Sequence, residues 1–140
     1  MTINKNIENI IYSIFDAFKA GNTKAIEDHL HEQATIWDIF TPELINGKNE
    51  LEAFHQRDQE QKATRGQLII NIAQPIIRVT GPLAIALYYL NFSYQEPNSI
   101  SGKVRITDVF ILEDKEWKII HHHEGIVPEK MHNRQIDYIS

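Results

Sequence analysis

Three consecutive histidines, His121-His122-His123, followed at once by Glu124, form the densest run of titratable side chains in the sequence. Imidazole titrates near neutral pH and binds metals readily, so proton transfer and metal ligation are the two chemistries to weigh. The run reads as a strand. Alternation then puts His121 and His123 on one face and Ile120, His122 and Glu124 on the other. Two histidines two residues apart can share a metal, but no helical H-E-x-x-H pattern supplies further ligands, and no metal is expected. His122 remains open as an acid–base or ligand-contact group, or as a hydrogen-bonded core histidine. A second spot is Trp37-Asp38, within the β-rich run Thr35-Ile36-Trp37-Asp38-Ile39-Phe40. Alternation lets only one of the two face inward. Trp37 is expected there, as an aromatic wall for an apolar ligand, because large apolar side chains are seldom left exposed. Asp38 inward would instead offer a general base.

Other chemistries lack their residues. Cys is 0, and there is neither a G-x-S-x-G elbow nor a glycine-rich phosphate loop, so thiol catalysis, a serine nucleophile and a nucleotide cofactor are not expected. The net charge of −5 argues against nucleic acid as the main partner, since phosphate binding needs a basic surface. No targeting segment and no apolar run of membrane-spanning length are visible, so a cytoplasmic protein without a membrane partner is expected.

The elements that must position these residues follow from periodicity. Ile3, Ile7, Ile10, Ile11, Ile14, Phe15 and Phe18 form one helical stripe that Gly21 ends. Asn22 or Thr23 caps a short second helix reaching about Leu30. After the strand over 35–40 and a turn at Asn46-Gly47, a capping box at Asn49 and Glu52 opens a third helix carrying Leu51, Phe54, His55 and Asp58. Beyond Gly66 the period becomes two. A long strand covers 67–79 with Pro75 at an edge or bulge, and three more cover 83–94, 104–112 and 116–124. With 140 residues, this is one α+β domain over residues 1–128 and a C-terminal tail over 129–140. Both faces of the 83–94 strand are mostly apolar, so the outer face needs a cover. The simplest cover is a second copy of the chain, and the rival is the C-terminal segment folding back.

The stretches Val104-Arg105-Ile106-Thr107-Asp108-Val109-Phe110 and Trp117-Lys118-Ile119-Ile120-His121-His122-His123 resemble the closing hairpin of the nuclear transport factor 2-like superfamily. More narrowly, they are similar to its SnoaL-like branch, which includes the association domain of calcium/calmodulin-dependent protein kinase II. The helix ending at Ala20-Gly21-Asn22, and Asn46-Gly47 before the third helix, match the same layout. The resemblance covers about residues 5–128. It implies a cone, in which a curved antiparallel sheet wraps three N-terminal helices around a pocket (the cystatin-like fold). It also implies dimerisation through the outer sheet face.

Where the kinase association domain carries pocket arginines, the matching positions here are Asp108 and Glu124, which puts an anionic ligand in doubt. Two carboxylates sharing a partly dry site raise each other's proton affinity, so Asp108 and Glu124, with His122, are the expected catalytic acid–base set. If they lie at the pocket mouth they are merely solvated. The resemblance further nominates Trp37, Tyr88, Tyr12 and His55 as ligand contacts. The plainer roles are a core tyrosine for Tyr88, a rim tyrosine for Tyr12 and a boundary histidine for His55. Two readings result. One is a cofactor-independent isomerase, dehydratase or cyclase acting on a small apolar carbonyl compound. The other is a non-catalytic ligand-binding or oligomerisation module.

Overall fold

The computed structural model describes residues 2–61 and 64–128. The tail over 129–140, expected as a contact segment or as a cover for the sheet, lies outside the described residues.

Helix α1 (Ile3–Ala20) starts where the Thr2 hydroxyl accepts from the Lys5 N–H at 3.1 Å. Its stripe buries Ile7 and Ile11 completely. Gly21 ends it in the left-handed region at φ 75°, which a Cβ would strain. Helix α2 (Thr23–Glu27) is capped by Asn22, whose side chain accepts from the Ala25 N–H at 3.2 Å. It stops short of Leu30, which instead opens strand β1 (Leu30–Trp37). The expected strand at 35–40 thus begins earlier and ends earlier. After the two-residue β2 (Ile45–Asn46), helix α3 runs Gly47–Gln61. It begins two residues before the expected capping box, and Glu50, not Glu52, reaches back to the Asn46 N–H at 2.9 Å.

The strand expected over 67–79 is two strands, β3 (Leu68–Ile72) and β4 (Ile76–Thr80), broken before Pro75. Both pair antiparallel with β5 (Leu83–Tyr94), β4 beside its first half and β3 beside its second. Proline cannot donate to the ladder, and it falls in the gap where the edge changes partner. Strand β5 pairs with β6 (Ile100–Glu113), and β6 with β7 (Glu116–Ile126), through a turn with positive φ at Asp114 and Lys115. The path is β2-β1-β7-β6-β5-β3, with β1 and β7 parallel, so the sheet is mixed where an antiparallel one was expected. A parallel pairing is open to them because β2 to β6 lie between β1 and β7 in sequence, so no tight turn joins the two.

Ala84, Ala86, Tyr88 and Leu90 of β5 face the helices with Val104, Ile106 and Phe110 of β6, while Ile85, Leu87 and Tyr89 face out. This is the α+β cone of helices against a curved sheet. No helix among the described residues is long and apolar enough to cross a membrane.

Candidate functional site

The cone holds a cavity of about 720 Å³ between the inner sheet face and the helices. Ile14, Phe15 and Phe18 of α1, Ile26 of α2 and Leu51 and Phe54 of α3 line one side, and Leu90, Val104, Ile106 and Ile119 the other. Its exposed lining residues, Phe40, Pro42, Glu43, Arg57, Gln61 and Ile100, mark the mouth. On its wall too, Arg65 reaches the Asp58 carboxylate at 2.9 Å and lies over the Tyr94 ring.

Into this apolar space the strands deliver one chain of polar groups. Asp108 of β6 pairs directly across the ladder with His122 of β7, so their inward side chains meet. Asp108 is 1% exposed and holds two partners: the Tyr88 hydroxyl donates to Oδ2 at 2.6 Å, and His122 Nδ1 to Oδ1 at 2.5 Å. The other His122 nitrogen, Nε2, donates to Glu124 Oε2 at 2.8 Å. Glu124 Oε1 accepts the Ile39 N–H at 3.2 Å, and its carboxyl also meets that of Asp38. The order is Tyr88–Asp108–His122–Glu124–Asp38.

A carboxylate on each side of His122 fixes its charge. Burial pushes its pKa down, but Asp108 and Glu124 together hold it well above the ordinary value, so the ring is an imidazolium. Burial likewise pushes Glu124 up, and its hydrogen bond and attraction to His122 hold it below the usual carboxylate range. Asp38 has no such cation. Burial and the charge of Glu124 push it up to about 6, against hydrogen bonds from the Phe40 N–H and the Thr41 hydroxyl. Tyr88 is raised well above its ordinary value by burial and by Asp108, and it stays a phenol.

The expected site residues fall into distinct places. Glu124 and His122 line the cavity with Asp38, and His55 lines it from α3. Asp108 and Tyr88 do not line it: they stand behind His122, because the Tyr88 hydroxyl is spent on Asp108. Trp37 is a correction. It is 40% exposed on the outer face, paired with His123, and Asp38 is the inward residue. Alternation counted from the buried Ile36 sends Trp37 outward and Asp38 inward, and the preference for burying a large apolar side chain pointed the other way; the Asp38 side chain bonds to the backbone two residues on, an Asx turn just past the end of β1. The signal was present as Asp38-x-x-Thr41-Pro42, a turn pattern overlapping the end of the strand. Tyr12 is a second correction. It sits half-buried at the side of α1 against Glu8, away from the cavity.

Glu27 was missed altogether. Its Oε2 lies 2.9 Å from His55 Nδ1 in a largely buried pair, and no spacing rule links residues that far apart in sequence. On the outer face, the Thr35 hydroxyl and His121 Nδ1 are 2.7 Å apart, and the His121 and His123 rings meet edge to face. No group of three or more His, Cys, Asp and Glu side chains among the described residues could hold a metal ion.

The structure is similar to several solved proteins. An NTF2-like protein of unknown function from Pseudomonas putida KT2440 is 20% identical with a TM-score of 0.80, over 91% of this chain and 88% of that one. A CaMKII hub homology domain from Chlamydomonas reinhardtii is 17% identical with a TM-score of 0.73, over 91% of this chain and 100% of that one. A candidate ketosteroid isomerase from Shewanella frigidimarina NCIMB 400 is 22% identical with a TM-score of 0.71, over 84% of this chain and 92% of that one. At these identities the likeness is one of fold. No curated protein matches the sequence. The family model of the SnoaL-like domain matches residues 7–128, and the chain belongs to that family.

Proposed function

We propose that the protein is a cofactor-independent acid–base catalyst acting on a small, largely apolar carbonyl compound, by isomerisation, dehydration or cyclisation. One observation carries this reading: the Asp38 carboxyl, with a pKa of about 6, faces a cavity whose other walls are mostly apolar. A base with that proton affinity is ionised at neutral pH yet strong enough to take a proton from carbon next to a carbonyl. Glu124 touches Asp38, and its negative charge raises the proton affinity of that base. His122 and Asp108 hold Glu124 in its charged form, so they are positioning residues. The apolar walls orient the substrate and exclude water.

The test is ring opening of 5-nitrobenzisoxazole, which needs the loss of one C–H proton and no acid. The wild-type rate is expected to rise with pH through about 6, and Asp38→Asn to lower it by about 10²- to 10⁴-fold. A wild-type rate no faster than that of carboxylate in buffer refutes the reading.

A second reading, self-association, is favoured by the outer sheet face. The ladder registers place Ile76, Leu87, Thr107, His123 and Trp37 in one row across β4, β5, β6, β7 and β1. Ile85 and Tyr89 flank it on β5, and Ile76, Leu87, Trp37, Ile85 and Tyr89 are all exposed. An apolar face of this extent calls for a partner, and a second copy of the chain fits it. The hub-type neighbours support the same arrangement. It is compatible with catalysis, because the cavity opens on the other side of the sheet.

A further inference from the structure

One buried acid–base pair on the cavity wall takes no part in the scheme above. Glu27 is the last residue of α2 and His55 lies near the middle of α3, so the pair belongs to the helical wall, while Asp38, Glu124 and His122 belong to the sheet wall. His55 is 8% exposed and lines the cavity. Its ring stacks on Phe54 at 5.8 Å between centroids and 29° between planes, which fixes its orientation. A carboxylate only accepts, so the 2.9 Å bond to Glu27 puts a proton on Nδ1 and leaves Nε2 as the nitrogen that can exchange one. A pair needed only to tie α2 to α3 has no need of a ring on the cavity wall. The arrangement is that of a histidine oriented by a carboxylate for proton transfer at its other nitrogen.

We infer that His55, held by Glu27, is the general acid of this site, and that the substrate is a carbonyl compound carrying a hydroxyl on its β-carbon, which the site dehydrates. The inference rests on the reading of Asp38 as the base. A base alone suffices to move a proton along a carbonyl compound. Loss of hydroxide needs a proton delivered as the C–O bond breaks, and that calls for a second group on another wall. Asp38 takes the α-proton, and the C–H electron pair becomes the Cα=Cβ bond. The Cβ–O bond breaks, and its pair takes the proton of His55 Nε2. The products are an enone and water. Asp38 ends protonated and His55 neutral with Nδ1–H still on Glu27, and proton exchange with solvent resets both. No oxidant, reductant or cofactor enters the balance.

The test compares two probes on the full-length protein. Dehydration of 4-hydroxy-4-phenylbutan-2-one needs base and acid, and opening of 5-nitrobenzisoxazole needs base alone. His55→Gln is expected to lower kcat for the hydroxyketone by at least about 100-fold, and by at least about tenfold more than it lowers the benzisoxazole rate. Glu27→Gln, which keeps the side chain's length and a hydrogen-bond acceptor, is expected to lower kcat for the hydroxyketone about tenfold with KM unchanged. It decides the matter by the same comparison should His55→Gln not fold. Equal losses on both probes, or no loss on either, overturn the assignment. A wild-type protein that opens the benzisoxazole but leaves the hydroxyketone intact overturns the acid and spares the base. One that turns over neither overturns both.

Discussion

Asp108→Asn isolates the charge that holds the polar chain together. The substitution keeps the shape, and the amide oxygen still accepts one of the two bonds that reach Asp108 at 2.6 and 2.5 Å. The Tyr88 hydroxyl can turn to accept from the amide, so hydrogen bonding is largely preserved. What goes is a negative charge against the His122 imidazolium, at a site 1% exposed. Breaking a buried ion pair costs about 3–5 kcal/mol. Glu124 remains at 2.8 Å as a second counter-charge, so the lower end, about 3 kcal/mol, applies here. Without that charge the imidazolium is held less tightly, so His122 should lose its proton at lower pH in the variant than in the wild type. The assay is a pH titration of the imidazole nitrogens by long-range proton–nitrogen NMR, with the other histidines as internal controls. Wild-type His122 should titrate well above the ordinary imidazole range, and the variant should titrate below the wild type. Urea unfolding at pH 7 should show the variant about 3 kcal/mol less stable. A wild-type His122 that titrates like an exposed histidine, or a variant that titrates where the wild type does, would refute the reasoning.

Three further outcomes are expected. Asp38 has a folded pKa raised from 3.8 to about 6, so its contribution to stability is fully present below pH 3.8 and lost as pH rises through about 6. The loss, about 3 kcal/mol at full weight, is about 2 after allowance for the solvent the side chain still meets. Asp38→Asn should therefore unfold at higher urea than wild type at pH 8, with the gap closing by pH 4, and a gap independent of pH contradicts the shift. Leu87→Glu, in the outer apolar row between Ile76 and Thr107, should leave the fold intact by circular dichroism and lower the mass by light scattering to that of one chain. A wild type already monomeric at high concentration rules out the interface. A Cβ at Gly66 would run into the backbone carbonyls of Gln95 and Glu96, so Gly66→Ala should cost roughly 3 kcal/mol or more in denaturant unfolding. A cost under 1 kcal/mol would mean that this junction has room to move.

The fold was legible because its signals are local and repeated. The α1 stripe ends at a glycine that takes a left-handed turn, and the period of two in β5 sorts Ala84, Ala86 and Tyr88 inward and Ile85, Leu87 and Tyr89 outward. The parallel pairing of β1 with β7 was not, since nothing in either strand records its neighbour. Within the site, the inward placement of His122 and Glu124 followed from parity, and parity held only because the register shift in β7 lies before His121. Trp37 and Asp38 were misplaced by a different rule. Parity counted from the buried Ile36 sends Trp37 outward and Asp38 inward, but the preference for burying a large apolar side chain was set above it. Asp108 and Glu124 do share one network, but His122 stands between them, so they do not share a proton. The carboxyl that meets Glu124 is that of Asp38.

The His122 imidazolium decides which of three neighbouring carboxyl groups keeps the greatest proton affinity, and so which is the proposed base. Asp108 and Glu124 both bond to His122, and Glu124 also takes a backbone N–H, so the cation offsets charge at these two and not at Asp38. Asp38 feels the negative charge of Glu124 without a cation of its own and receives only neutral donors, Phe40 N–H and Thr41 hydroxyl. The extra proton of the group is therefore held at the end of the chain, on the wall of the cavity. Had His122 been a leucine, the charges on Glu124 and Asp38 would stand together in a poorly solvated space, and one would be neutral at pH 7. The base would then be lost to protonation. Placing the cation one residue deeper keeps Glu124 ionised, keeps Asp38 ionised at neutral pH, and leaves Asp38 enough proton affinity to act. Under the proposed chemistry Asp108 would matter to turnover without touching a ligand: it sets the charge of His122, His122 sets that of Glu124, and Glu124 sets the affinity of Asp38 for a proton.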